Sequence, residues 1–132
     1  MEFISVLVVD DSAFMRKVIS DIINSDPLLQ VVGTAKNGKE ALLKIGLHRP
    51  DVITLDIEMP EMDGLAALEI IMATNPRPVV MLSNLTRLGA KATIKALQLG
   101  AVDFISKPSG PISLDIAQIG DEITRKVKIA AA

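Results

Sequence analysis

The sequence predicts an α/β fold in which a five-stranded parallel sheet carries helices on both faces. Three observations carry that prediction. Short β-branched runs alternate with segments of helical periodicity five times; the runs are apolar nearly throughout; and the pattern takes up all 132 residues. Near-continuous apolar runs belong to strands covered on both faces rather than one. Strict strand–helix alternation implies βαβ crossovers, hence parallel strands.

The elements follow in chain order. Residues 4–9 (ISVLVV) read as the first strand, followed by a helix with Phe14, Met15, Val18, Ile19, Ile22 and Ile23 as its apolar stripe, stopping before Pro27. Residues 31–35 form the second strand, and Asn37 caps a helix over 38–47 that ends before Pro50. The third strand spans 52–55; Asp63-Gly64 opens a helix over 65–73 that stops before Pro76. A fourth strand at 79–82 leads to a helix over 87–99, closed by Gly100 as a C-terminal cap. The fifth strand is placed at 101–105, and Ser113 is the expected N-cap of a last helix with Ile116, Ile119, Ile123 and Val127 on one face. Residues 1–110 thus hold five strands and four helices with the loop after the fifth strand, and 111–132 the last helix, read as running into an interdomain linker.

Composition removes several classes of function. With no Cys there is no disulfide framework, zinc–thiolate site or cysteine nucleophile, and the lone His48 cannot build a multi-histidine metal site. Fourteen basic against 16 acidic residues, net −2, with 2% aromatics, argue against nucleic-acid binding. No stretch approaches the about 18 apolar residues of a membrane span, so a cytoplasmic domain without membrane insertion is expected. Leu, Ile, Val and Ala must build the core, since Phe3, Phe14 and Phe104 are the only aromatics.

Open parallel sheets bind ligands beyond the carboxyl ends of their strands. There the first strand runs into Asp10-Asp11-Ser12, the third ends at Asp56, the fourth at Ser83-Asn84 and the fifth at Ser106-Lys107-Pro108. Each alone reads as a cap or turn residue. Together they bring three carboxylates, a hydroxyl and an ammonium to one edge. Two carboxylates about 4 Å apart repel by roughly 4 kcal/mol at an effective dielectric near 20. Either one carboxyl holds a proton or a cation sits among them, and a hard ion such as Mg²⁺ suits oxygen ligands beside a phosphate. Asp56, alone at a central strand's exit, is the candidate nucleophile for acyl-phosphate chemistry, with Asp10-Asp11 better placed to hold metal. Asp51, at the strand's far end, and Asp63 read as structural, His48 as a solvated turn residue, and Arg125, Lys126 and Lys128 as complements to a helix dipole.

Asp10-Asp11, Asp56 followed by Glu58-Met59-Pro60-x-Met62-Asp63-Gly64, Ser83 and Lys107-Pro108 resemble the receiver domain of two-component response regulators across essentially the whole chain. The resemblance implies a flavodoxin-like (βα)5 doubly wound sheet of order 2-1-3-4-5. It implies phosphorylation of Asp56 by a phosphohistidine of a sensor kinase. It also implies Mg²⁺ held by Asp11, Asp56 and the Glu58 backbone carbonyl, with Asp10 acting through water. Lys107 and Ser83 would contact the phosphoryl group, Phe104 would swing in behind Ser83 as the switch, and the Lys107–Pro108 bond would be cis. Asn84 departs from the family's small residue at a position that governs access to the phosphoryl group.

The stretches 51–64 (DVITLDIEMPEMDG), 78–86 (PVVMLSNLT) and 100–110 (GAVDFISKPSG) resemble the chemotaxis protein-glutamate methylesterases. That implies a chemotaxis histidine kinase as phosphodonor, a C-terminal esterase domain held in check, and chemoreceptors as partners of the parent, demethylated and deamidated by the esterase. The sequence shows no Gly-x-Ser-x-Gly nucleophile setting. Two other readings are a stand-alone receiver acting as a binding switch and an Asp-nucleophile phosphohydrolase; the second is disfavoured because Asp10 and Asp11 are adjacent and no cap insertion exists.

Overall fold

The computed structural model describes residues 3–83, 85–106 and 112–132, with the side chains of 83, 85–90 and 112–118 left undescribed. Ten elements alternate: β1(Ile4–Val9), α1(Ala13–Asn24), β2(Leu29–Ala35), α2(Gly38–His48), β3(Val52–Asp56), α3(Gly64–Thr74), β4(Val79–Ser83), α4(Leu85–Gln98), β5(Asp103–Ser106) and α5(Ile112–Ala131). The strands form one sheet in the order β2-β1-β3-β4-β5, and every pairing is parallel. Fold class and strand order are those expected.

Two apolar layers sandwich the sheet because each central strand sends alternate side chains to opposite faces. Leu7, Val9, Ile53, Leu55, Val79 and Met81 meet Ala41 and Ile45 of α2, Leu68 and Ile71 of α3, and Ala92 and Ala96 of α4. Val6, Val8, Val52, Val80 and Leu82 meet Ile19 and Ile23 of α1 and Ile123 and Val127 of α5. No aromatic residue is among the fully buried side chains of the described core. α3, which touches both α2 and α4, carries a single charged residue, Glu69. It therefore reads as apolar nearly all round, as a helix flanked on two sides must.

The caps follow the sequence closely. Ser12, Asn37 and Asp63 accept from the backbone N–H of Met15 at 3.2 Å, Glu40 at 2.8 Å and Ala66 at 2.8 Å, which satisfies one orphan donor of each helix. Gly100 closes α4 at φ +114°, a conformation only glycine adopts freely. α2 ends less comfortably, on Arg49 at φ 49°.

Four expectations need correction. Phe14 is 58% exposed: at 100° per residue it sits about 140° around α1 from Ile19, off the sheet-facing stripe. β2 starts at Leu29, with a bulge that shifts its register between Val6 and Leu7 of β1. β5 begins at Asp103 rather than at residue 101, because Ala101 and Val102 hydrogen-bond back to Ala96 and Val79 in leaving α4. Ser113 lies inside α5, whose first residue is Ile112.

Candidate functional site: an acidic cluster at the carboxyl edge of the sheet

Strand register brings the acids together. Val9 of β1 pairs with Leu55 of β3, so the next residues, Asp10 and Asp56, leave adjacent strands side by side. The β1–β2 ladder continues one step further, with the Asp10 N–H donating to Ala35 O at 3.0 Å. Parallel strands lie about 4.8 Å apart. The carboxylates of Asp10, Asp11 and Asp56 accordingly each place an oxygen within 4.8 Å of the other two. Asp10 and Asp56 are buried, 0% and 3% exposed, while Asp11 is exposed.

The surrounding backbone holds these acids in place. Asp10 Oδ1 accepts from the Ser12 N–H at 2.9 Å, and its carbonyl accepts from the Arg16 guanidinium at 2.7 Å. The Asp10 turn is thus tied to the first turn of α1 at two points. After Asp56 the chain makes a tight loop. The Met62 N–H donates to Pro60 O at 2.7 Å around Glu61, at φ 69°, a γ-type turn that few non-glycine residues adopt. Met62 packs on Gly38 at the start of α2. Gly64 then returns its N–H to Ile57 O at 2.7 Å, so close that any Cβ there would overlap the Asp56 carbonyl oxygen.

The donor set fits a hard divalent cation. All three groups are carboxylates, and oxygens on opposite sides of a Mg²⁺ ion would lie about 4 Å apart at bond lengths near 2.1 Å, the scale of the cluster. Its low-dielectric half, Asp10 and Asp56, makes the repulsion that a cation relieves greater than at an open surface. Glu58, two residues past Asp56, is exposed at the start of the loop.

The other expected residues distribute as follows. Ser83 ends β4, paired with Ser106 of β5, which places both strand exits on the edge that carries the acids. Asn84, Lys107 and Pro108, and with them the expected cis bond, lie outside the described residues. Phe104 is half-buried against the layer of α2, α3 and α4. Asp51 is at the opposite edge, where its Oδ2 accepts from the Ser5 N–H and hydroxyl at 2.8 and 3.0 Å. His48 is exposed and leans over Gly33. Asp51 is thus structural and His48 solvent-exposed, as the sequence suggests.

Three residues have contacts that the sequence does not reveal. Arg16 acts through a backbone carbonyl, for which no side-chain motif exists; its one signal is a base in the first turn of the helix that follows the acidic pair. Gly64 was read as part of a helix start, although its tighter constraint is the Asp56 backbone. Lys126, taken as a dipole complement, instead donates to Phe104 O at 3.1 Å and pairs with Glu122 at 2.9 Å and Asp103 at 3.5 Å, tying α5 to β5.

A family model for the response regulator receiver domain matches residues 6–117. The chain belongs to the receiver domain family. Its likeness extends to receivers of the CheB type. It is 54% identical to the response regulator domain of Thermotoga maritima CheB, at a TM-score of 0.90 with 98% of this chain and 97% of that chain covered. It is 60% identical over 129 residues to a protein-glutamate methylesterase/protein-glutamine glutaminase of Symbiobacterium thermophilum, covering 98% of this chain but 36% of that protein. The receiver thus spans about a third of the length of such relatives. A more distant likeness, 34% identical at a TM-score of 0.75 over 90% of this chain and 87% of the other, is to a chain of the CheX–CheY–BeF3–Mg²⁺ complex from Borrelia burgdorferi.

Proposed function

We propose that this receiver accepts a phosphoryl group on Asp56 from a phosphohistidine of a chemotaxis kinase and thereby controls a C-terminal methylesterase domain in its parent protein. The observation that carries the proposal is the acidic cluster itself: Asp56 ends a central strand, buried, with Asp10 and Asp11 beside it. The likeness to CheB receivers supports the esterase as the controlled domain.

In the transfer, a carboxylate oxygen of Asp56 attacks phosphorus and forms the acyl-phosphate P–O bond as the donor's P–N bond breaks. The electron pair leaves with the imidazole nitrogen, which ends protonated from solvent. Asp10 and Asp11, with Asp56 and the Glu58 carbonyl, are the residues assigned to hold Mg²⁺, Asp10 through water. When bound, that ion supplies positive charge against the incoming dianion and the developing charge on its oxygens. The Ser12 and Arg16 bonds to Asp10 keep it oriented without reorganisation.

Ser83 and Lys107 are assigned to the phosphoryl oxygens, Asn84 to access, a cis Lys107–Pro108 bond to the placing of the lysine, and Phe104 to the readout. A half-buried ring on an edge strand suits that last role, since it is not enclosed by the core on every side. Recruiting Ser83 and Lys107 to a new dianion would bias β4 and β5 and their helices between two arrangements. In the parent, residues 111–132 would lead from the receiver toward the esterase, which acts on chemoreceptor glutamyl methyl esters and glutamines in the cytoplasm. Among the described residues no helix is long and apolar enough to cross a membrane.

Incubation with acetyl phosphate and Mg²⁺, read by intact-protein mass spectrometry, is expected to label the wild type once and Asp56→Asn not at all, with chelation of the metal abolishing the label. Equal labelling of Asp56→Asn would overturn the assignment. For the parent, phosphorylation is expected to raise methylesterase turnover, and an unchanged rate would remove the regulatory half of the proposal.

A further inference from the structure

The outer face of α2 stands apart from the rest of the surface. Leu43 and Leu47, one helical turn apart, are each 76% exposed, the highest values among the large apolar residues of the described surface. Gly46 lies beside them, about 60° around the helix from Leu43, and a Cβ built there meets nothing within 4 Å. At 100° per residue, Lys39, Gly46, Leu43 and Leu47 fall within an arc of about 100°.

Gly46 is the odd member of the described glycines. Gly33, Gly38 and Gly64 each have a neighbour where a Cβ would press, Gly100 has its positive φ, and Gly120 faces Ile22 of α1. A glycine inside a helix weakens it, and nothing among the described residues calls for one here. What a glycine on an exposed helical face does permit is close approach by a second backbone.

Charge narrows the occupant. Between positions 36 and 49 there are four bases, Lys36, Lys39, Lys44 and Arg49, against one acid, Glu40, in a chain that is net acidic. Glu40 is turned to Lys44, at 3.8 Å, and Lys44 donates back to Thr34 O at 2.6 Å, away from the stripe. Lys39 is exposed on the leucine face, and Lys36 and Arg49 are exposed at the two ends of α2. A second copy of the same face would bring like charges together. An anionic lipid surface would use the bases and leucines but has no backbone to seat in the Gly46 notch.

We propose that the outer face of α2 is a docking surface for an acidic amphipathic helix of a partner protein. The leucines flank the crossing point, Gly46 lets the partner helix approach, and Lys36, Lys39 and Arg49 meet its acids at the rim.

The probe is a synthetic amphipathic helix with leucines at i, i+3, i+4 and i+7 and glutamates on its flanks, beside the same peptide with lysine for every glutamate. Titration into isotope-labelled protein is followed by NMR. The acidic peptide is expected to shift residues on α2. Binding should fall at least about tenfold for the lysine peptide, for Leu43→Gln with Leu47→Gln, and for Gly46→Leu. Gly46→Leu is expected to melt above the wild type, so its lost binding cannot be a folding defect. Equal binding of both peptides, no binding of the acidic one, shifts away from α2, or undiminished binding by the variants would each overturn the proposal. So would two controls lost in the leucine variant while the peptide fails to bind: sedimentation with phosphatidylglycerol-containing vesicles, which would make the face a membrane contact, or concentration-dependent dimerisation, which would make it a contact between copies.

Discussion

Gly64 shows how much a site can depend on an atom that is absent. A Cβ there would overlap the carbonyl oxygen of Asp56 and crowd the Ile57 backbone, and backbone cannot rotate aside as a side chain can. Gly64→Ala is therefore expected to destabilise the domain by about 2–3 kcal/mol in urea unfolding. Acetyl-phosphate labelling should slow as well, because the strain falls on the acceptor's own peptide group. Thr54 shows the opposite case. Its hydroxyl is buried in the central strand, and no hydrogen-bond partner meets it among the described residues. Thr54→Val keeps the shape and removes the desolvated oxygen, so a gain of about 1 kcal/mol is expected; a loss in chemical denaturation would mean that the hydroxyl is bonded in solution. Thr54 does not stand out in the sequence, and Gly64 does so only as a helix start and motif residue. Asp10, Asp11 and Asp56 do, because carboxylates at strand exits have few structural reasons to gather.

At the scale of elements, the caps of α1, α2 and α3 were legible because Ser, Asn and Asp bond locally, within three residues. The bases of α5 were not. Lys128 pairs with Asp26, in the turn between α1 and β2, at 2.8 Å, and that partner is remote in sequence. The Lys128 ammonium first, and then the N–H of Leu28, hold the Asp26 carboxyl below its ordinary value. A carboxyl depressed by folding stabilises above its unfolded pKa, near 3.8, and that contribution fades as pH falls through the lower folded value. Asp26→Asn is accordingly expected to be less stable at neutral pH by under about 1 kcal/mol, the size of a part-exposed pair. Melts taken from pH 7 down to about 3 should show the difference narrowing below about pH 4; a constant gap would place the effect in packing rather than charge.

At the scale of the whole molecule, metal binding is expected to couple to stability. Folding gathers three carboxylates within 4.8 Å, which a cation rewards and its absence penalises. Mg²⁺ at a hundred times its Kd is expected to stabilise the fold by about 2.7 kcal/mol, several degrees in Tm for a domain of this size. Chelation should reverse the shift, and NaCl at matched ionic strength should not reproduce it. Asp11→Asn should abolish the Mg²⁺ shift while raising the Tm of the metal-free domain, since one repelling charge is gone. A Mg²⁺ shift that survives in this variant would move the metal elsewhere.

By itself the sequence determined the class of fold, the strand order through its resemblance, the N-caps of α1, α2 and α3, and the acids at the strand exits. All but the strand order are carried by local pattern: period, turn chemistry and the residue types that end strands. Only the tertiary structure decided what depends on register and on approach between distant segments. It set Asp10 beside Asp56 through the Val9–Leu55 pairing, brought Arg16 to the Asp10 carbonyl and pressed Gly64 against Asp56. It also turned Phe14 outward although its residue type suits a core. Composition says which groups are available; the geometry of a packed sheet says which of them meet, because a shift of one residue in register or 100° about a helix moves a side chain to another face.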